Sequence, residues 1–379
     1  MILYTGKEPP SESRVSLTPQ AVTRLKGLGF EVRVPPGVGA SLYLSDEAYL
    51  EAGATLAAEQ NAALAEADLV VRLNQPQPAE VSAMKRGSAL VSFLDPFRSA
   101  DLVGALASHG VSSLCMELIP RSTYAQKMDA LSSQASLAGY AAVILAADRI
   151  DKALPMMSTP AGTIPPARVF IVGVGVAGLQ AIATAKRLGA RVEAYDTRPV
   201  VEEQVQSLGA KFVKIDVGET GQTEQGYAKA LTEEQLDRQR QQMARFCANA
   251  DIVITTAQVF GRPAPRIITA EMVAGMRPGS VIVDLAASSG GNVEGTVADS
   301  DVELNGVRIF GLSNMPGQVA RDASQMYASN VSNLIEHAFD REAGRLRLDT
   351  NDSVIDSCLL THDGNVRHEQ IRALVEAAA

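Results

Sequence analysis

The run RVFIVGVGVAG from Arg168 to Gly178, continued by LQAIATAKRLGARVEAY to Asp196, constrains the fold of this chain more than any other segment. It predicts a buried strand, a glycine turn, a helix and a second strand that ends in an acid. A bound dinucleotide requires that order: Gly173 permits the tight turn, Gly175 lets the backbone approach a pyrophosphate, and Gly178 lets the helix pack on the strand. The phosphates then rest on the helix N-terminus, at Val176 and Ala177. Unpaired N–H groups and the positive end of the helix dipole favour an anion there without a basic side chain. Asp196 follows about 20 residues after the turn. A carboxylate at that place can accept hydrogen bonds from ribose hydroxyls and repels a 2′-phosphate, which favours NAD(H) over NADP(H). Thr197 and Arg198 continue the same edge, and the charge of Arg198 weakens that preference.

Glycine patterns of this kind also occur in ordinary loops, and the apolar stretch from Val169 to Ala185 also suits a membrane span. A span needs about 20 apolar residues. This run carries three glycines and Gln180 and ends at Lys186 and Arg187, so a strand, turn and helix are the expectation. The 379 residues are long for one domain and comfortable for two. A net charge of -9, spread without runs, argues against a nucleic-acid partner. The N-terminus lacks a basic-then-apolar signal pattern and no other segment reads as a span, so a soluble, cytoplasmic protein is expected. Cys115, Cys247 and Cys358 are spaced for neither a disulfide framework nor a zinc site, and each is expected to be a small buried apolar residue. His109, His337, His362 and His368 have no ligand spacing to one another.

Apolar runs bounded by turn residues alternate with helix-period segments along the whole chain, the pattern of parallel sheets with helical crossovers. Two doubly wound, Rossmann-like α/β domains separated by a cleft are predicted. The first takes residues 1–133 and, if the C-terminal tail packs on it, residues 318–379. Its strands are expected at Ile2 to Thr5, Glu31 to Val34, Leu69 to Arg72, Ala89 to Phe93 and Val111 to Met116, with a helix over Pro19 to Leu28. A helix from Gln134 to Ile150 and a proline-rich loop from Pro155 to Pro166 lead into the second domain, residues 134–317. Its strands are expected at Val169 to Val172, Arg191 to Tyr195, Lys211 to Lys214, Asp251 to Thr255, Ser280 to Asp284 and Val307 to Phe310. A last helix is placed at Ala323 to Phe339. Ligands of open α/β sheets bind at the carboxyl ends of the strands, which adds Thr256 and Ala257 to the candidate contacts and makes the cleft the expected site. The polar segment Gly218 to Glu234 reads either as a solvated insertion or as a mobile lid with Tyr227 as its one large side chain.

Further motifs surround this core: Glu12-Ser13-Arg14-Val15, RSTYAQKMDALSSQ from Arg121 to Gln134, TPAGTIPPARV before the glycine turn, MRPGSVIVDLA, and SNMPGQVARDAS. With them the chain resembles, from end to end, the NAD(H)-binding component (domain I) of proton-translocating nicotinamide nucleotide transhydrogenases, in the form made as a separate soluble alpha subunit. The resemblance implies that the loop after the last strand of the first domain reaches the nicotinamide, with Arg121, Gln126, Asp129 and Ser132 in that role. Arg121, Gln126 and Asp129 would align the nicotinamide, and Tyr227 would close over the nucleotide. It further implies a homodimer held peripherally on the cytoplasmic face of an inner membrane by two partners, a membrane-spanning subunit and a beta subunit that binds NADP(H). Hydride would pass from NADH to NADP⁺, coupled to proton translocation in the membrane component.

Alanine dehydrogenases share this architecture and set the alternative, an NAD-dependent amino-acid dehydrogenase. Such an enzyme moves a proton as well as a hydride and holds a carboxylate substrate with cations. By resemblance that family uses an Arg, a Lys, a His and an Asp, at positions held here by Arg14, Arg72, Asp95 and Ser288. Arg14 and Arg72 could hold an anion, but an Arg cannot act as a base at neutral pH. Transfer between two nicotinamides releases no proton, so proximity and alignment suffice. A non-catalytic NAD-sensing module is a third reading.

Overall fold

Short strands that are apolar on both faces suit parallel sheets covered on both sides by helices. The computed structural model, which describes residues 1–218, 231–259 and 261–378, contains two such sheets. One belongs to a unit made of Met1–Gln134 and Val319–Ala379, the other to Ala135–Gln318.

The first unit holds an eight-stranded sheet in the order Asn365–Val366, Leu359–His362, Ser112–Cys115, Ala89–Ser92, Leu69–Val71, Ile2–Thr5, Glu31–Val34, Thr55–Leu56. The six strands from Ser112–Cys115 onward are parallel, and the two C-terminal strands add to them antiparallel. Successive residues face opposite ways. Leu3, Leu69, Val71, Val91 and Leu114 therefore join one core with Leu17, Leu25, Tyr327 and Leu334. Tyr4, Val70, Leu90 and Cys115 join the other with Leu64, Val103 and Leu106.

The second unit repeats the scheme in seven strands: Lys211–Phe212, Arg191–Tyr195, Arg168–Val172, Ile252–Thr255, Val281–Asp284, Val307–Phe310 and, antiparallel at the edge, Asp301–Leu304. Val169, Ile171, Ile252, Ile254, Val281 and Val283 face one core, while Phe170, Val172, Val253 and Ile282 face the other. In both units the chain lays down the first strand, sets the second and third outward on one side of it, and then returns to the other side of the first for the fourth. This is the order of dinucleotide-binding sheets, whose ligand crevice opens where the direction reverses.

Several elements differ from the sequence-based expectation. The expected loop at Pro155 to Pro166 contains an exposed hairpin, Met157–Thr159 paired with Gly162–Ile164. The tail falls within the first unit, where it adds two strands to the sheet that the sequence did not predict. The helix expected from Gln134 starts at Ala130, because Asp129 caps it. That helix, Ala130–Arg149, is long and apolar enough to cross a membrane by length and composition, against the expectation that no such segment is present. Ala138, Ala141, Ala142, Val143 and Ala146 are nevertheless buried in the second unit's core. A Cβ on Gly139 would lie 2.1 Å from the Ala177 carbonyl oxygen, so this face packs in backbone contact. The three cysteines are buried and unpaired.

Candidate functional site

The strand Arg168–Val172 runs into Gly173 at φ 93°, a conformation that glycine adopts at little cost. A Cβ on Gly173 would stand 2.6 Å from Thr256 Oγ1, and one on Gly178 would stand 2.0 Å from the Gly173 carbonyl oxygen. Internal packing therefore demands both glycines. Gly175 is different: its φ is -83° and a Cβ there would meet no atom within 4 Å. The protein's own packing gives no reason for glycine at 175, whereas close approach of a pyrophosphate does. Gly175 is also the N-cap of the Val176–Arg187 helix and offers no side chain to its first turn. The N–H groups of that turn, at Val176, Ala177 and Gly178, receive no side-chain cap, an arrangement that suits an anion.

Asp196 follows directly on the strand Arg191–Tyr195 and is 9% exposed. Its Oδ2 accepts the Val174 N–H at 2.7 Å and Arg198 Nη2 at 2.8 Å. Its Oδ1 accepts the Arg198 N–H at 2.8 Å and Nε at 2.9 Å. A carboxylate has about four acceptor positions, so these four donors engage all of them. A ribose hydroxyl must displace the Arg198 side chain to reach Asp196, a condition the sequence does not announce. The hydrogen bonds to Asp196 hold the Arg198 guanidinium above its ordinary pKa. Thr197 lies half-buried between the two.

Thr256 donates its hydroxyl to the Gly173 carbonyl at 3.0 Å, which ties the end of the fourth strand to the glycine turn. Ala257 is fixed by a residue that sequence reasoning missed. Asn292, fully buried, accepts the Ala257 N–H at 3.0 Å and donates to the Ala257 and Pro265 carbonyls. Asn292 is held in turn by Asp284, also fully buried. The Asp284 carboxylate accepts Thr255 Oγ1, Thr296 Oγ1 and the N–H groups of Ala286, Asn292 and Val293, all within 3.1 Å. The signal was an acid ending the otherwise apolar strand VIVD.

The remaining predicted contacts gather in the first unit. Arg121 and Gln126 are exposed, and Asp129 is 8% exposed. Asp129 Oδ1 accepts the Ser132 N–H at 2.9 Å and Oδ2 accepts the Ser132 hydroxyl at 2.6 Å. This is an N-cap on the Ala130–Arg149 helix, so the pair has a structural duty besides any contact with a ligand. Tyr227 lies outside the described residues.

The two arginines that could hold a substrate anion are engaged by the protein itself. Arg14 pairs with Glu12 through Nε and Nη2, both at 2.8 Å, and donates Nη1 to Gln134 Oε1 at 2.8 Å. Arg72 pairs with Glu80 at 2.5 Å and Glu8 at 3.5 Å and donates to the Lys7 carbonyl. Asn74 Nδ2 joins the clusters by donating to Glu8 and Glu12 at 3.2 Å each. Three enclosed carboxylates thus face two guanidiniums. Asp95 is exposed, at φ 41°, in a turn whose Leu94 and Asp95 N–H groups bond the Glu117 carboxylate. Among the described residues, no group of His, Cys, Asp and Glu could hold a metal ion.

Comparison with known proteins agrees with this geometry. The family model for the alanine dehydrogenase/PNT N-terminal domain matches residues 6–138, and the model for the C-terminal domain matches residues 142–369. The chain is 44% identical over 366 residues to an NAD(P) transhydrogenase subunit alpha polypeptide of Rhodospirillum rubrum, covering 95% of each. Its fold matches the crystal structure of transhydrogenase from Sinorhizobium meliloti with a TM-score of 0.86 at 44% identity, covering 97% of this chain and all of that one. It also matches an L-alanine dehydrogenase with a TM-score of 0.83 at 25% identity over the whole of both chains. Resemblance in sequence and in fold, over almost the full length, leads to one assignment: the chain belongs to the alanine dehydrogenase/PNT family, on the side of the NAD(P) transhydrogenase alpha subunits.

Proposed function

We propose that the chain is the NAD(H)-binding subunit of a proton-translocating transhydrogenase. Bound NADH supplies a hydride to NADP⁺ held by a beta subunit, and a membrane-spanning subunit couples the transfer to proton movement. Gly173, Gly175 and Gly178 form the pyrophosphate turn, with the N–H groups of Val176 and Ala177 as donors. Asp196, with Thr197 and Arg198 beside it, takes the adenosine ribose, and Thr256 and Ala257 line the opposite strand end. Arg121, Gln126, Asp129 and Ser132 contact the nicotinamide half, and Tyr227 closes over the nucleotide. The chain works as a homodimer, peripheral to the cytoplasmic face of the membrane, and carries no translocated proton itself.

The observation that carries this reading against the dehydrogenase alternative is the pairing of Arg14 and Arg72 with Glu12, Glu8 and Glu80. A keto-acid carboxylate would have to compete with three resident carboxylates, and Asp95 and Ser288 stand where a dehydrogenase keeps its His and Asp. The test mixes the purified chain with NADH, a panel of keto acids and ammonia, then repeats the assay with the NADP(H)-binding component and an NADP⁺ analogue. Hydride transfer is expected only in the second mixture. Rapid NADH oxidation in the first would replace this reading with a dehydrogenase, and no transfer in either would favour a sensing module.

A further inference from the structure

Three polar side chains on the Ala320–Ala338 helix meet the segment that carries Gln126 and Asp129. Asn330, Asn333 and His337 stand at i, i+3 and i+7, so they form one stripe on that helix. The Lys127 carbonyl accepts Nδ2–H from Asn330 at 2.9 Å and from Asn333 at 2.8 Å, which uses both of its lone pairs. Asn330 Oδ1 accepts the Ser133 hydroxyl at 2.7 Å, in the first turn of the helix that follows. His337 Nδ1 lies 3.1 Å from Tyr124 Oη with the rings edge to face, and His337 Nε2 lies 3.0 Å from Asp352. Between these polar attachments, Ala125 and Met128 are fully buried while Gln126 and Lys127 are exposed.

The chain here is turn and one short 3-10 stretch, Gln126–Met128, which has little hydrogen bonding of its own to select one conformation. Two donors on a single carbonyl, delivered from a long and buried helix, supply that selection. We propose that Asn330 and Asn333, with His337, are positioning residues. By holding the Lys127 carbonyl and Tyr124, they present Gln126 and Asp129 to the nicotinamide half of the dinucleotide in one geometry. The inference rests on the function proposed above. Its chemistry is alignment: the stripe touches neither reacting nicotinamide and acts through the loop.

The test uses Asn330→Ala, Asn333→Ala and the double variant in the full complex with the NADP(H)-binding and membrane subunits. At saturating NADH, each single variant is expected to slow hydride transfer about tenfold, and the pair more than the product of the two, because the carbonyl then keeps no donor. The NADH dissociation constant should stay within about twofold, since most affinity comes from the other half of the nucleotide. The change in NADH emission on titration reports binding. In a Gln126→Ala background the asparagine substitutions should add little, as a merely structural role would not predict. Amide exchange over residues 121–129 should quicken in the double variant. Unchanged rates, rate and affinity falling in step, or full additivity with Gln126→Ala would overturn the proposal. If the unaltered complex transfers no hydride, the functional reading fails, and exchange alone decides whether the stripe holds the loop. Should Asn330→Ala not fold, Asn333→Ala, at a half-buried position, carries the test.

Discussion

The two units share one strand order and treat the place where it reverses in opposite ways. In the second unit the first strand ends in Gly173, the following helix is capped by a residue with no side chain, and a Cβ on Gly175 would meet nothing. In the first unit the strand Ile2–Thr5 ends in Gly6, where a Cβ would lie 3.1 Å from Arg72 Cδ, and Glu8 and Glu80 complete the plug. The helix that follows, Pro19–Gly27, is capped by Thr18, whose side chain accepts the Ala21 N–H. Topology alone would give both units a dinucleotide crevice. The difference is whether the protein has already satisfied the groups at this reversal point: Thr18 caps the helix in the first unit, while Gly175 offers no side chain to the helix in the second.

The largest expected effect tests the plug. Arg72→Met would leave Glu8 and Glu80 enclosed without their cation and should cost about 3–5 kcal/mol of stability, read by chemical denaturation, while NADH affinity stays unchanged. An equal loss of NADH affinity would mean that the first unit's reversal point also serves the nucleotide. Gly178→Ala comes next. Its Cβ cannot fit beside the Gly173 carbonyl oxygen, so about 3 kcal/mol of stability should go along with binding. Gly175→Ala separates the two quantities: stability should change by less than about 1 kcal/mol, yet NADH binding should weaken more than tenfold. A Gly175→Ala variant that binds NADH normally would remove the argument that a ligand, rather than packing, requires this glycine.

How legible these sites are in the sequence follows from how local their causes are. The glycine turn, its helix and Asp196 lie within one contiguous stretch, where period and spacing carry the physics. The core strands were equally readable, because alternation on two buried faces leaves continuous apolar runs. Edge strands were read less well: the sequence marks Lys211–Phe212, but Thr55–Leu56 is too short to show a pattern, and Asp301–Leu304 is exposed on one face and only half-buried on the other. The hairpin at Met157–Thr159 was hidden by prolines on either side of it. Leu359–His362 joins Ser112–Cys115 across most of the chain, and no local signal marks such a partner. The same holds for charge. Arg14 and Arg72 are visible as cations, but their neutralisation by Glu12, Glu8 and Glu80, and the closure of Asp196 by Arg198, depend on where the backbone brings the acids.

The closure of Asp196 gives a sharper test of the second unit. Asp196→Ala should weaken NADH binding about tenfold, roughly 1.4 kcal/mol, and should narrow the preference over NADPH, because the released Arg198 can meet a 2′-phosphate. Arg198→Ala should do the opposite, freeing Asp196 for the ribose and widening the gap. Titrating both dinucleotides against both variants reads the ratio. If it stays constant in both, the carboxylate serves only the Val174 turn.

The smallest effect lies in the first unit, at the Leu94–Asp95 turn held by Glu117. Burial raises the pKa of the Glu117 carboxyl, and the N–H groups of Asp95 and Leu94 and the Cys115 thiol pull it back only partway. An acid whose pKa is raised by folding stabilises the native state below its unfolded value, near 4.5, and loses that contribution as pH rises through the folded value. Glu117→Gln cannot ionise and keeps one oxygen for the two N–H groups. Its melting temperature should therefore lie furthest below that of the unaltered chain at about pH 4.5 and approach it as pH rises. A gap that widens with pH would mean that the two backbone donors outweigh burial and that the carboxylate is held ionised. In that case the Leu94–Asp95 turn would be an anion-binding turn built from the protein's own side chain, as the plug at Arg72 is a cation site filled from within. The first unit would then differ from the second at two strand ends rather than one.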